Sequence, residues 1–262
     1  MKKPVKKKPT KELTVEQKIT RRSFISFATF AAAGTALYGG WRWLYHSARE
    51  VPGITGGAKK PLRRALNQTE LFFRKIASKD HQVKTYPKYM AARHVRVNSL
   101  IGLKDEAFRP DKWMLSIVMN KGDLLQLSID EILRLPKTEI IFDFKCVEGW
   151  DQIQHWGGVR MIDLVEHYKL NNLAAMQYMG LATPDNKYYV GLDMDSAMHP
   201  QTILAYEMNG KQLTPEHGAP LRLIIPVKYG IKNLKRIGTI SFSDTRPPDY
   251  WAERGYDYYS GL

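Results

Sequence analysis

Beyond about Ala91 the apolar positions of this chain recur mainly at a spacing of two. Ile140, Phe142 and Phe144 alternate with Ile141, Asp143 and Lys145, the repeat of a strand with one buried face. Similar short runs predict strands over 113–119, 123–127, 177–183, 188–192, 202–207, 211–213, 221–227 and 237–242. Asn209-Gly210 predicts a type I′ hairpin turn between two of these, because both central positions of that turn need positive φ. Helical signals are fewer. Ser128 and Glu131 have capping-box spacing for a helix ending at Pro136, and 161–169 predicts another. His199 before Pro200 marks a helix end. Many short strands with a few helices predict an α+β fold, rich in sheet, over 91–262. With no GxGxxG and no P-loop in the pattern, a doubly wound nucleotide-binding sheet is excluded.

Before Ala91 the pattern changes. Thr20-Arg21-Arg22-Ser23-Phe24-Ile25-Ser26 precedes a moderately apolar stretch from Phe27 to Leu37, which reads as a twin-arginine export signal. A plain basic-flanked transmembrane helix is the competing reading, and both leave the first residues in the cytoplasm. No A-x-A cleavage site follows, and Trp41, Trp43 and Tyr45 suit the edge of a bilayer, so a retained membrane anchor facing the periplasm is expected. The chain accordingly divides into a signal or anchor at 1–45, a linker with a short helix (67–76) at 46–90, and the folded domain at 91–262. Val51-Pro52-Gly53 and Gly56-Gly57 mark the linker.

Composition narrows the function. A length of 262 residues with 44% hydrophobic content supports one core with appendages. The net charge is +14; residues 1–22 carry nine Lys or Arg against Glu12 and Glu16, so 9 − 2 = +7 lies in the tail and +7 elsewhere. That remainder fits nucleic acid, anionic lipid or a negatively charged cofactor equally well. No nucleic-acid module is present and the export signal argues against such a partner. A single cysteine, Cys146, excludes an internal disulfide and any CxxC site. His155, His167 and His217 occur without HExxH, which argues against a zinc hydrolase.

A lone cysteine is more often a buried apolar residue than a ligand. Here it ends a predicted strand and opens Cys146-Val147-Glu148-Gly149-Trp150, with Asp151, His155 and Trp156 close behind and Gly157-Gly158 leaving room for a bulky partner. A thiolate in that setting is a soft ligand for a redox-active metal. Arg222, alternating with apolar neighbours, reads by itself as an outward-facing solvated charge. Glu148 reads equally as a surface carboxylate or a partner of the site.

The Cys-Val-Glu-Gly-Trp segment with its following Trp-Gly-Gly resembles the molybdenum-cysteine segment of the sulfite-oxidase fold family. Asp195-Ser196-Ala197-Met198-His199-Pro200 and the stretch from His217-Gly218-Ala219-Pro220 through Arg222 to Lys228-Tyr229-Gly230 are similar to that family's signature segments. Arg246-Pro247-Pro248 with Trp251 resembles the close of the domain in its bacterial periplasmic methionine-sulfoxide-reductase branch. The resemblance covers Ala91 to the C-terminus. It implies a molybdopterin cofactor whose metal is held by Cys146, the catalytic ligand, with Asn98, Thr183, His217, Arg222, Asn233 and Lys235 as pterin contacts. It further implies oxygen-atom transfer, most simply reduction of a small sulfur-containing substrate or an oxidised protein. Electrons would pass through a separate membrane redox partner, such as a heme-containing subunit, with no heme in this chain. His217 departs from that branch, which usually has Asn there, and matches the sulfite-oxidising branch, so oxidation of sulfite or a similar small anion is the second reading. A tethered binding domain without metal is the third, and retention of Cys146 argues against it.

Overall fold

The computed structural model describes residues 14–49, 59–76, 81–119 and 122–262. The lysine-rich opening and the Val51–Gly57 linker lie outside the described residues. Val15–His46 forms α1, started by a capping box between Thr14 and Gln17 and carrying Arg21 and Arg22 within it. Gly34, Gly39, Gly40 and several hydroxyl side chains dilute its apolar content. Among the described residues no helix is long and apolar enough to cross a membrane.

A second helix, α2, runs over Lys60–Ile76, starting earlier than the predicted Asn67. Pro61 sits in its first turn, where a missing N–H removes no intrahelical bond. Arg63 and Glu70 are buried on one face of α2; Arg63 donates to the Ala252 carbonyl at 3.3 Å, and Glu70 pairs with Arg246.

The domain is built on two sheets, and the alternation in the sequence places their strands. In chain order these are β1 (Leu115–Val118), β2 (Leu124–Leu127), β3 (Lys137–Lys145), β4 (Asp151–Arg160), β5 (Tyr178–Ala182), β6 (Tyr189–Asp193), β7 (Ile203–Met208), β8 (Lys211–Gln212), β9 (Arg222–Ile224) and β10 (Thr239–Ser243). One sheet has the order β2-β1-β10-β5-β6, with β1 and β10 parallel. The other has β3-β4-β7-β8, and β9 pairs with β7. Helices α3 (Ile129–Leu133), α4 (Met161–His167), α5 (Asn171–Ala174) and α6 (Met194–Ala197) connect them. One apolar cluster joins Leu115 and Ile117 of the first sheet to Val159 and Leu204 of the second, together with Met161, Leu164 and Val165 around α4. A second cluster covers the other side of β3, where Ile140, Phe142 and Phe144 are buried as the alternation predicts.

The capping box at Ser128 forms as expected, and Asn209 and Gly210 take φ of 53° and 73° in the β7–β8 turn. Two local readings are corrected. Gly157-Gly158 is neither a turn nor open space: it lies within β4, at a β-bulge facing β7, and a Cβ on Gly158 would stand 2.1 Å from the Leu204 carbonyl oxygen. The glycine permits strand-to-strand contact, not cofactor access. The strand predicted over 221–227 stops at Ile224, because the Ile225 N–H donates to the Asn233 side chain at 2.8 Å and Pro226 has no N–H to continue the ladder.

Candidate functional site

Cys146 follows the last residue of β3. Its backbone N–H donates to the Trp150 carbonyl at 2.9 Å and the Gly149 N–H returns to the Cys146 carbonyl at 3.1 Å, so the chain turns immediately and leaves the side chain at the strand end. The thiol is free and buried, and burial pushes it above its ordinary value. It lines a cleft open to solvent, with about 70 Å³ of space that water can enter. Asn98, Glu148, Tyr188, Asn233, Lys235 and Trp251 face the same space.

The far wall comes from the loop after β9. Gly230 lets that loop approach: a Cβ there would lie 2.9 Å from Phe144 Cε1, two residues before Cys146. Asn233 is pinned by its own side chain, which accepts from Ile225 N and donates to the Tyr229 carbonyl at 3.1 Å. Lys235 is buried, and among the described residues its ammonium donates only to backbone carbonyls: Ser99 and Glu216 at 2.9 Å and Asn98 at 3.4 Å. Burial, with the Arg222 charge adding to it, brings its pKa down to about 7.

Arg222 is 2% exposed, against the solvated reading that its alternation invites. Its guanidinium lies 4.5 Å from the centre of the Trp156 ring and donates to the carbonyls of His217 (3.1 Å) and Asn233 (3.3 Å), while Nε has no partner among the described residues. Burial lowers its pKa to about 9. Among the described residues neither Arg222 nor Lys235 forms an ion pair with a carboxylate. Two buried cations satisfied only by carbonyls, one with an orphaned N–H, leave a charge deficit that a bound anion would remove.

The seven residues singled out from the sequence thus fall into two groups. Cys146, Asn98, Asn233 and Lys235 line the cleft. Arg222, His217 and Thr183 are not among the lining residues. His217 is buried, with Nε2 3.3 Å from the Val95 carbonyl and Nδ1 2.8 Å from the Thr214 hydroxyl. Because a carbonyl only accepts, Nε2 carries the proton and Nδ1 accepts from Thr214. Burial lowers its pKa, which favours the neutral ring. Thr183 is fully buried and its hydroxyl is engaged by Asp185 at 2.6 Å and by the Tyr188 backbone. Sequence reasoning missed Tyr188 and Tyr256 of the lining. Tyr188 donates to the Ile231 carbonyl at 2.5 Å, and burial drives its pKa far up, so it stays a neutral wall.

Residues 102–251 match the family described as "Oxidoreductase molybdopterin binding domain". That span includes Cys146 and the loop from His217 to Arg236 but not Asn98. Among curated proteins the chain is similar to the protein-methionine-sulfoxide reductase catalytic subunit MsrP of Campylobacter jejuni, with 35% identity over 172 residues covering 59% of this chain and 58% of that protein. It is also similar to the protein of the same name from Burkholderia mallei, with 34% identity over 170 residues covering 59% and 51%. The match therefore spans 51% to 58% of the length of those two relatives. Among solved structures it is similar to the sulfane dehydrogenase SoxCD from Paracoccus pantotrophus, with a TM-score of 0.47 and 18% identity over 64% of this chain and 46% of that one.

Proposed function

The chain belongs to the oxidoreductase molybdopterin binding domain family, and from that premise we propose that it is an exported enzyme that reduces a sulfoxide, free or within a protein, to a thioether. One observation carries the reading: a buried free thiol, Cys146, shares a cleft with Lys235, while Arg222 lies behind its wall, and neither cation has a carboxylate partner among the described residues. The donor set fits the cofactor at both ends. Cys146 would hold molybdenum through its thiolate, a soft ligand for a redox metal. Lys235, Asn233 and Arg222 would hold the pterin's phosphate, with the guanidinium fork suited to its oxygens. Asn98, whose carbonyl accepts from Lys235, adds an amide to the lining.

The cofactor, when bound, supplies the redox chemistry, in which a sulfoxide takes up two electrons and two protons to give thioether and water. The chain's residues do the positioning. Tyr188, Trp251 and Tyr256 give the cleft an aromatic wall suited to a thioether side chain. Glu148 is the one carboxylate among the lining residues and is exposed, so it can exchange protons between water and the cleft. The relatives named as methionine-sulfoxide reductases support the reductive direction. Steady-state assays decide it: methionine sulfoxide with an artificial donor should be turned over, and sulfite with an artificial acceptor should not. Turnover of sulfite alone would move the chain to the oxidising reading.

Export by the twin-arginine route, with electrons delivered by a membrane partner such as a heme-bearing subunit, completes the proposal. Arg21-Arg22 ahead of the apolar run supports it. Replacing both by Lys should leave the protein in the cytoplasmic fraction; unchanged export of that variant would remove this part.

A further inference from the structure

Arg96 stands beside the cleft, within electrostatic reach of Cys146 and with no carboxylate partner among the described residues. It is exposed, and its guanidinium carbon lies 4.8 Å from the centre of the Trp150 ring. No hydrogen bond or ion pair engages that guanidinium among the described residues. Its backbone, by contrast, is tightly held. The Arg96 N–H donates to Gln152 Oε1 at 3.0 Å, and Gln152 Nε2 donates to the His94 carbonyl at 3.1 Å, so one carboxamide grips the chain on both sides of Val95. The Val95 carbonyl accepts from His217, and Asn209 holds the Ala92 carbonyl at 3.0 Å. Gln154 braces Gln152 at 3.1 Å.

This clamp sets a cation next to the reacting end of the cleft. Trp150, under the guanidinium, donates its indole N–H to Glu148 at 2.8 Å, and both Glu148 and Cys146 line the cleft. Two residues beyond Arg96, Asn98 lines it too. A guanidinium stacked on an aromatic face keeps its N–H edges free, and those edges match the geometry of a carboxylate. Fixing the side chain beforehand lowers the entropy lost when it binds.

We propose that Arg96 is a specificity-determining residue that receives a carboxylate carried by the substrate beside its sulfoxide. This rests on the sulfoxide-reductase reading above, and peptides in which the residue beside the oxidised methionine is acidic are the preferred substrates.

The test uses the full chain loaded with cofactor and two peptides that differ only in Asp or Asn next to methionine sulfoxide. In the wild type the Asp peptide should show a KM lower by about two- to fivefold, the range of a well-placed exposed ion pair, with kcat unchanged. Arg96→Ala should raise the KM of the Asp peptide relative to that of the Asn peptide and so erase the difference, any change in kcat being common to both peptides. Arg96→Lys should keep part of it, and Gln152→Ala, which frees the backbone but leaves the guanidinium, should narrow it. Fluorescence anisotropy with the same peptides carrying unoxidised methionine repeats the comparison as Kd values without turnover. If neither sulfoxide is reduced, the reductase reading fails while the Kd ratio still judges Arg96. Equal Asp-to-Asn ratios in wild type and Arg96→Ala, in KM or, without turnover, in Kd, overturn the proposal.

Discussion

Replacing Cys146 by Ala should abolish turnover while leaving the domain folded. Residues that only orient a metal's ligands already cost about 10–100-fold when changed, so loss of the ligand itself should lower kcat by more than a hundredfold. The stability cost is small by comparison, because removing one buried sulfur from the end of β3 costs about 1 kcal/mol of packing. Elemental analysis for molybdenum and a urea midpoint on the same preparation separate the two effects. Cys146→Ser keeps the volume but offers a hard oxygen in place of a soft sulfur, and should fail likewise. Alkylation gives an independent reading. Since burial raises the thiol's pKa, cofactor-free protein should react slowly at neutral pH and faster as pH rises beyond the ordinary thiol range, whereas the loaded protein should resist throughout. Full molybdenum content and normal turnover in Cys146→Ala would show that the metal is held elsewhere.

How much of this site the sequence reveals depends on whether the decisive interaction is local. The alternation of Ile140, Phe142 and Phe144 is a property of one strand, and β3 follows it residue by residue. The Ser128–Glu131 cap and the Asn209-Gly210 turn are equally local and form as expected. Cys146 at the end of β3 follows from the same pattern. Arg222 shows the opposite case: in alternation with apolar residues a charge reads as solvent-facing, and only the approach of Trp156, the His217 carbonyl and Asn233 explains its burial. Gly157-Gly158 fails for the same reason, since the close neighbour is β7, far along the chain. The 81–98 segment has no periodicity to find. It is tied down largely by side chains of Gln152, Gln201 and Asn209 reaching its backbone, and nothing in its own sequence announces those partners. Family resemblance located Arg222 and Lys235; the physical reason for them, a pair of buried cations with no carboxylate partner among the described residues, is visible only in three dimensions.

Asp193→Ala should destabilise the domain severely and loosen the wall of the cleft with it. Asp193 ends β6 and is 3% exposed; one oxygen accepts from the Lys228 ammonium at 3.1 Å, and the other caps α6 through Ser196 N (2.9 Å) and Oγ (2.7 Å). Lys228 is 2% exposed and lies at the start of the loop that carries Asn233 and Lys235 into the cleft. Removing the carboxylate takes from that ammonium its directly paired counter-charge, which costs about 3–5 kcal/mol, and the lost cap adds about 1 kcal/mol. That is a large share of the roughly 5–15 kcal/mol by which a domain is stable, so the urea midpoint should fall steeply. Because the loop is held at Lys228, cofactor retention at matched denaturant should fall as well. Asp193→Asn keeps the volume and an acceptor for the cap, and should lose less of the capping while losing the charge. The pH dependence follows from the same pair. Burial opposes the Asp193 charge, but Lys228 and the Ser196 donors more than offset it and hold the carboxyl below the usual carboxylate range. A depressed carboxyl contributes stability that is fully present above the unfolded value near pH 4 and is lost as pH falls through the lower folded value. Wild type should therefore lose stability progressively below about pH 4, and Asp193→Asn should lack that part of the acid transition. An acid transition identical in the two proteins, or a midpoint unchanged in Asp193→Ala, would remove this pair from the account of what holds the cleft together.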